Sequence, residues 1–342
     1  MFAKEFALPS IEDVASEAGV SKATVSRVLN WPDAVREPLR MRVQAAVAHL
    51  GYVPHAGARA LKLHHSGTVG AIFPTVDNAI FAKAIDALQQ RLANCGRQLL
   101  IATSSYDPDT EARQAINLVT RGADALALCG AAQRPTLLQF LRRRELPVVH
   151  AMTHPSPPGM VSVGFDNKRA IGQAVRYLLD LGHRRFAMLA GIVRDNDRAA
   201  ARVEGVRSAL AEVGLALAPP QLVERRYGLA DAREGFRALM SCEPRPTAVI
   251  CGNDVLAFGA LLEAGRVGVD VPRDVSVVGF DDLEMARHID PALTTLHVPT
   301  EQLWQTVADR IVAALERKPV QGVTEVEVEL VVRASTGPAP GR

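Results

Sequence analysis

From Thr68 onward, short apolar runs alternate with amphipathic stretches, and this alternation admits few architectures. The runs VGAIFP, QLLIAT, ALALC, PVVHA, FAMLA, TAVICG and SVVGF are β-branched or leucine-rich and end at turn residues. Between them Phe81, Ile85, Leu88 and Leu92 share one helical face, as do Val203, Val206, Leu210 and Val213. Strands alternating with helices build parallel sheets covered on both faces. Roughly 270 residues exceed what one such sheet holds, so two lobes are expected.

The 342 residues are 48% apolar and 22% charged, enough to bury a sizeable core. No stretch offers ~18 unbroken apolar residues, so no membrane span is expected. The N-terminal segment MFAKEFALPSIEDVASEAG lacks an apolar signal-peptide core, which points to the cytoplasm. The four cysteines, Cys95, Cys129, Cys242 and Cys251, include no Cys-x-x-Cys pair, so they read as small buried apolar side chains in a reducing compartment rather than a zinc site. A phosphate loop, a Gly-x-Ser-x-Gly elbow and a metal-binding helix motif are all absent from the sequence, so neither an enzyme nor a cofactor is expected.

The N-terminal segment is organised differently. Ser10, followed three residues later by Asp13, reads as a helix N-cap with a capping-box partner. Ile11, Val14, Ala15 and Ala18 then share one face, and Gly19 supplies the left-handed turn that stops the helix. Ser21 caps a second helix running to Leu29, with Val25, Val28 and Leu29 inward and Lys22, Ala23, Thr24, Ser26 and Arg27 outward. Two short helices joined by a glycine turn form a helix-turn-helix. A third helix begins near Pro38, buries Leu39, Val43, Val47 and Leu50, and stops at Gly51. Net charge is only +2, but residues 18–65 concentrate basic side chains. The outward side chains suit a major groove: Lys and Arg donate to guanine, Ala and Thr methyls contact thymine, and hydroxyls reach phosphate.

The string SIEDVASEAGVSKATVSRVLN, followed by LGYVP, closely resembles the start of lactose-repressor-type (LacI-type) transcription regulators. The likeness continues through SVGFDN, LGHRRFAMLAG, RVEGVRSAL, CGNDVLAFGAL, PRDVSVVGFDD and DPALTT, and so spans nearly the whole chain. It implies an α/β protein: a three-helix helix-turn-helix domain over 1–53, a hinge helix and linker over 54–65, and a periplasmic-binding-protein-like effector and dimerisation domain over 66–342. The first lobe would take 66–163 and 296–324, the second 164–295 and 325–336, with crossings near 163, 295 and 325. The resemblance makes Ser21–Leu29 the operator-reading helix, with Ser10, Ser21, Lys22, Ala23, Thr24, Ser26, Arg27 and Asn30 at the DNA. His55, Ala58 and Leu61 would act from the hinge, Leu61 as a minor-groove wedge. The alternative is a linker helix with one buried leucine. Two departures stand out: His55 replaces the usual Asn, and Gly57 interrupts the hinge at a helix cost of ~1 kcal/mol. Arg36 also replaces the usual serine cap of the third helix.

In the effector domain the resemblance gives Arg202 a ligand contact, and Asn253 and Asp281, just after the strands TAVICG and SVVGF, suit sugar hydroxyls. Phe81 either covers a ring face or packs in the core. Asp77, Asp166 and Tyr227 are further candidates. Arg198 adds a second cation and hints at an anionic ligand such as a sugar acid. Arg202 and Asp281 read alternatively as a structural ion pair or loop cap. The expected function is a homodimeric repressor that binds a near-palindromic double-stranded operator under control of a sugar, sugar acid or related metabolite. The short tail VRASTGPAPGR carries no heptads, which favours a dimer over a tetramer. A transporter's solute-binding protein would share the lobes but not the helix-turn-helix. An enzyme on a doubly wound fold would need a nucleophile–base pair or a cofactor fingerprint.

Overall fold

In the computed structural model of the chain, residues 8–53, 65–154, 160–320 and 322–341 are described. The hinge expectations at His55, Gly57, Ala58 and Leu61 lie outside them. The chain forms two compact units, Met1–Ser66 and Gly67–Arg342.

In the first unit, α1 (Ile11–Glu17), α2 (Lys22–Asn30) and α3 (Glu37–Leu50) surround a core in which Val14, Val25 and Val43 are fully buried. The Ser10–Asp13 capping box is present in both directions, and Ser21 Oγ accepts from the Thr24 amide at 3.2 Å. Gly19 adopts φ +63°, and a Cβ there would meet Arg42 Nη2 at 2.9 Å. The same guanidinium donates to the Gly19 carbonyl at 3.3 Å, so the turn is closed by α3. Two sequence expectations change. Helix α2 runs one residue past Leu29, and a 3-10 turn, Pro32–Ala34, follows it. Helix α3 buries Val43 and Ala46, while Leu39, Val47 and Leu50 are only half-covered, because three short helices leave much of each helix on the rim. Arg36 contributes no side-chain cap; Pro38 in the first turn lacks an amide N–H there.

The second unit carries two six-stranded sheets. The first has the order β11 (Val323–Glu325), β5 (Val161–Gly164), β4 (Val148–Ala151), β3 (Ala123–Cys129), β1 (Thr68–Phe73), β2 (Gln98–Thr103), all parallel. The second has the order β12 (Glu329–Val331), β10 (Thr294–His297), β9 (Ser276–Asp281), β8 (Ala248–Cys251), β6 (Phe186–Gly191), β7 (Leu222–Arg225), parallel except for the antiparallel β12. The chain leaves the first sheet after Gly164, returns after His297 and leaves again after Glu325. Helices α4 (Ala79–Asn94), α5 (Pro108–Thr120), α6 (Pro135–Arg143) and α11 (Thr300–Leu315) accompany the first sheet. Helices α7 (Asn167–Asp180), α8 (Asp197–Ala211), α9 (Leu229–Met240) and α10 (Asp254–Val267) accompany the second.

Central strands are buried along their whole length because helices cover both faces; β6 and β9 show no exposed residue. The edge strand β2 instead leaves Leu100 and Ile101 more than a third exposed. Val213, expected on the inward face of α8, lies beyond that helix and is exposed, because the helix ends at Ala211 and the chain turns at Gly214 (φ +72°). Cys129 and Cys251 are buried as expected, but Cys242 is half-buried and Cys95 is exposed just past the end of α4. Each sheet reverses its winding beside its first strand, at β1/β3 and at β6/β8. Loops leaving the carboxyl ends of such strand pairs diverge and open a crevice.

Candidate functional site

Two regions carry functional side chains, one in each unit. In the first, α2 exposes Ser21, Lys22, Ala23 and Arg27, while Thr24, Ser26 and Asn30 are half-buried. Lys22 is ion-paired with Glu12, which holds the Glu12 carboxyl below its usual range. Asn30 Nδ2 donates to the Ser26 carbonyl at 2.7 Å, so this amide secures the last turn of the helix. Ser10 is the cap of α1. The arrangement is a rigid helix with a short polar and basic exposed edge, the geometry that a major groove accepts.

In the second unit a narrow cleft sits where the two crevices face each other. The first lobe contributes Asn78, Phe81, Tyr106 and Met152; the second contributes Asn196, Arg198, Arg202, Tyr227, Asn253 and Asp281. The asparagines are there for one reason. Asn78 Oδ1 accepts from the Ile80 amide at 3.2 Å, Asn196 Oδ1 from Ala199 at 3.3 Å, and Asn253 Oδ1 from Leu256 at 3.0 Å. Each is the N-cap of the helix that follows a switch-point strand, so the N-termini of α4, α8 and α10 converge on the cavity. With its Oδ1 taken by the cap, Asn253 has its Nδ2 to offer a ligand.

Arg202 is buried and held on three sides. Its Nε donates to Asn167 Oδ1 at 2.9 Å, one Nη donates to the Gly252 carbonyl at 2.6 Å, and the guanidinium lies 3.6 Å over the Phe280 ring centroid. Asn167 in turn donates to the Met152 carbonyl of the first lobe at 3.2 Å. Burial lowers the Arg202 pKa, with Asp281 pulling the other way. Asp281 ends β9 at φ +115°, a strained backbone for any residue but glycine. The loop after it is fixed by Asp254, whose carboxylate accepts from the Leu283 amide at 2.7 Å and from the Thr295 hydroxyl at 2.5 Å. Burial pushes the Asp281 carboxyl up to about 6 against the pull of Arg202 and Arg198.

Aromatic rings close the cavity. Phe81 lies edge-on to Phe73, with ring centroids 6.1 Å apart, and also lines the cavity, so the two readings of this residue meet in one position. Tyr106 and Tyr227 approach from opposite lobes to 5.6 Å between centroids, and burial raises both phenol pKa values. The Tyr227 hydroxyl rests against Gly191, where a Cβ would come within 2.1 Å. Beyond Tyr106 and Arg198 lies a second small cavity, lined also by Glu111, Cys129, Gln133 and Asp197. Burial pushes Glu111 up to about 7 and the Cys129 thiol up to about 12. Asp197 reaches across the lobes, accepting from the Ala131 amide at 2.9 Å and from Thr153 Oγ1 at 3.3 Å.

Of the effector residues expected from sequence, the structure brings Phe81, Arg198, Arg202, Tyr227, Asn253 and Asp281 together. It does not bring Asp77 or Asp166 to the cavity. Asp77 is exposed on the loop before α4, and Asp166 accepts from the Arg169 amide at 3.0 Å as the cap of α7. Sequence reasoning missed Asn78, Asn196, Tyr106, Glu111 and Gln133. The two asparagines had a signal, since each precedes an apolar helix just after a strand. The other three sit on loops and helices with no local pattern marking them. Among the described residues no cluster of His, Cys, Asp or Glu is placed to hold a metal ion, and no helix is long and apolar enough to cross a membrane.

Residues 10–55 match the bacterial regulatory proteins of the lacI family, and residues 175–336 match the periplasmic binding protein-like domain. The chain is 32% identical to the HTH-type transcriptional repressor PurR of Salmonella typhimurium over 341 residues, covering 98% of this chain and 99% of that protein. Among solved structures it resembles the lac repressor dimer bound to operator and the anti-inducer ONPF (TM-score 0.84, 26% identity, 96% of this chain and 99% of that one). It also resembles the complex of the transcriptional regulator CelR with cellobiose (TM-score 0.71, 28% identity, 96% and 99%). A helix-turn-helix whose capped second helix faces solvent, and a polar cleft between two doubly wound lobes, thus occur in one chain with full-length similarity to such repressors: this chain belongs to the lacI family of bacterial regulatory proteins and is a DNA-binding transcription regulator, not an enzyme.

Proposed function

We propose that the chain is a repressor that binds a near-palindromic operator as a homodimer, and that a small-molecule effector in the inter-lobe cavity controls that binding. The observation that carries this reading is the convergence of two buried arginines, three helix caps and three aromatic rings on one cavity at the switch points of both sheets. The lac repressor was solved on operator DNA and CelR with cellobiose, which supports a polar, hydroxylated metabolite as the effector class. Lys22, Ala23 and Arg27 are assigned to base edges, and Ser10, Ser21, Thr24, Ser26 and Asn30 to phosphates or to the helix's own framework. In the hinge, His55, Ala58 and Leu61 are assigned to the minor groove by resemblance. The domain limits 1–53, 54–65 and 66–342, with the lobe limits given above, belong to the same reading, and the protein acts in the cytoplasm, where the DNA is.

Effector and operator affinities are coupled, and the coupling is reciprocal, typically about 1–3 kcal/mol in allosteric proteins. The test is selection of operators from random duplexes by the full-length chain, followed by titration of metabolites against the selected duplex. A palindromic consensus whose affinity changes with one metabolite is the expected result. Binding without sequence preference sinks the reading-helix assignment, and a metabolite that binds equally well to Asp281→Asn and Asn253→Ala variants sinks the cavity assignment.

A further inference from the structure

Two buried polar atoms that line the second cavity have no hydrogen-bond partner among the described residues: Arg198 Nη1, on a side chain that lines the inter-lobe cavity as well, and Gln133 Oε1. They are of opposite kind. Arg198 is 9% exposed and offers only donors, while the free Gln133 oxygen, on a side chain 7% exposed, is an acceptor. The Gln133 amide nitrogen is already engaged, donating to Glu111 Oε1 and to the Gly130 carbonyl at 3.3 Å each. Buried groups of this sort are ordinarily satisfied, and an unmet donor on a buried cation is the costlier kind.

Among the described residues Arg198 forms no direct ion pair, although against the effect of burial the nearby Asp197 carboxylate raises its pKa. Its aromatic neighbours Tyr106 and Tyr227 and the Cys129 thiol are uncharged. Asp197 accepts from the Ala131 amide and from Thr153 through Oδ2, and the Asp281 carboxyl feels the charge of Arg202 more than that of Arg198. The cavity it borders therefore holds two guanidiniums against a single lining carboxylate, beneath three helix N-termini that each add a positive field. Gly130 makes the position reachable. Its φ is +76°, and a Cβ there would stand 2.7 Å from Arg198 Nη1 and 2.4 Å from Asp197 Oδ1. Any larger residue would displace the guanidinium from the junction. Four acids line the second cavity, and each has a partner or is held towards its neutral form: Asp107 caps α5, Asp197 accepts from the Ala131 amide, Asp195 pairs with Arg134, and burial pushes Glu111 up to about 7.

We infer that the effector is a hydroxy carboxylic acid, whose carboxylate accepts from Arg198 Nη1 beneath the convergent helix N-termini and whose hydroxyl donates to Gln133 Oε1. One ligand then completes both unpaired atoms, which neither a neutral sugar nor a plain anion does. The inference rests on the inter-lobe cavity being the effector site and narrows the chemistry that fills it.

The test uses the full-length chain in thermal-shift and calorimetric titrations. The probes are D-gluconate, D-galactonate, D-glucuronate and D-galacturonate, each set beside D-glucose or D-galactose, with D-glucose 6-phosphate as a phosphate anion. At least one acid is expected to raise the melting temperature and to bind about 100-fold more tightly than its neutral partner. Arg198→Met is expected to weaken that acid by roughly 10- to 100-fold, with Arg198→Lys recovering part of the loss and Gln133→Leu costing several-fold. The melting temperature of each unliganded variant confirms that it folds. The inference is overturned if no acid in the panel binds, if a neutral sugar or the phosphate binds best, or if Arg198→Met leaves acid affinity unchanged. Failure of the cavity reading looks different: a ligand of any class would then keep its affinity in Asp281→Asn and Asn253→Ala as well as in Arg198→Met.

Discussion

The reading helix and the inter-lobe cavity solve opposite problems. Helix α2 keeps its polar groups near water and satisfies its end locally, with the Ser21 hydroxyl on the Thr24 amide and Lys22 on Glu12. Its partners lie within ten residues along the chain. The cavity buries its polar groups and draws them from distant segments: Asn78, Tyr106, Arg198, Tyr227 and Asp281 share one space only because two sheets face each other. A surface site can be built from local rules. A buried one depends on tertiary closure, and where closure leaves an atom unmatched, as at Arg198, the ligand is the remaining partner.

That contrast separates two arginines four residues apart on one helix. Arg202 is part of the framework, so Arg202→Ala should strip donors from Asn167 and Gly252 and uncover Phe280. The expected cost is about 3 kcal/mol or more of stability together with loss of effector response, measured by chemical denaturation and ligand titration. Unchanged stability would make Arg202 a ligand group alone. Arg198→Met, by contrast, should leave the unliganded melting temperature level or raised.

Next in size is the surface helix. Arg27→Ala should lower affinity for the selected operator by roughly 5- to 150-fold while leaving stability and effector affinity intact. A loss that is equal for all duplex sequences would reassign Arg27 from bases to phosphates. Ser21→Ala should destabilise the first unit alone by about 1 kcal/mol through loss of the cap. The two tryptophans make this readable, because Trp31 lies in the first unit and Trp304 is fully buried in the second. Movement of both transitions together would end the picture of locally satisfied helices in a self-contained core.

The smallest expected effect is a pH dependence within the cavity. Burial raises the folded-state pKa of Glu111 to about 7, so the folded form favours the protonated acid. That contribution is complete below the unfolded value of 4.5 and is lost as pH rises through about 7. Glu111→Gln keeps the acceptor for Gln133 and removes the titration. The fall in melting temperature between about pH 5 and about pH 8 should therefore be shallower in the variant than in the parent. Parallel profiles would show that Glu111 titrates as an ordinary surface acid.

Much of this was legible in residue order. The Ser10–Asp13 box, the Gly19 turn and the Ser21 cap are local rules, and each forms as the spacing predicts. The long central strands announced themselves by continuous apolar runs. Strands β5, β7, β10, β11 and β12, of three or four residues, did not; β4 and β8 are as short but lie in the apolar runs PVVHA and TAVICG. Arg202 and Asp281 were identified by resemblance, but their division of labour was not. Asp77 and Asp166 were weaker candidates than Asp281 in the sequence, and the fold sends one to solvent and one to a helix cap.

The chain's sequence alone therefore determined the family, the order of the main elements and the helix-turn-helix, because those depend on hydrogen bonds and apolar spacing within a few residues. Tertiary structure alone decided which caps face a common cavity, which arginine is anchored, and that Arg198 and Gln133, lining one cavity, each keep an unmatched atom. Those facts depend on how two separately wound sheets approach each other, a distance that no local pattern encodes.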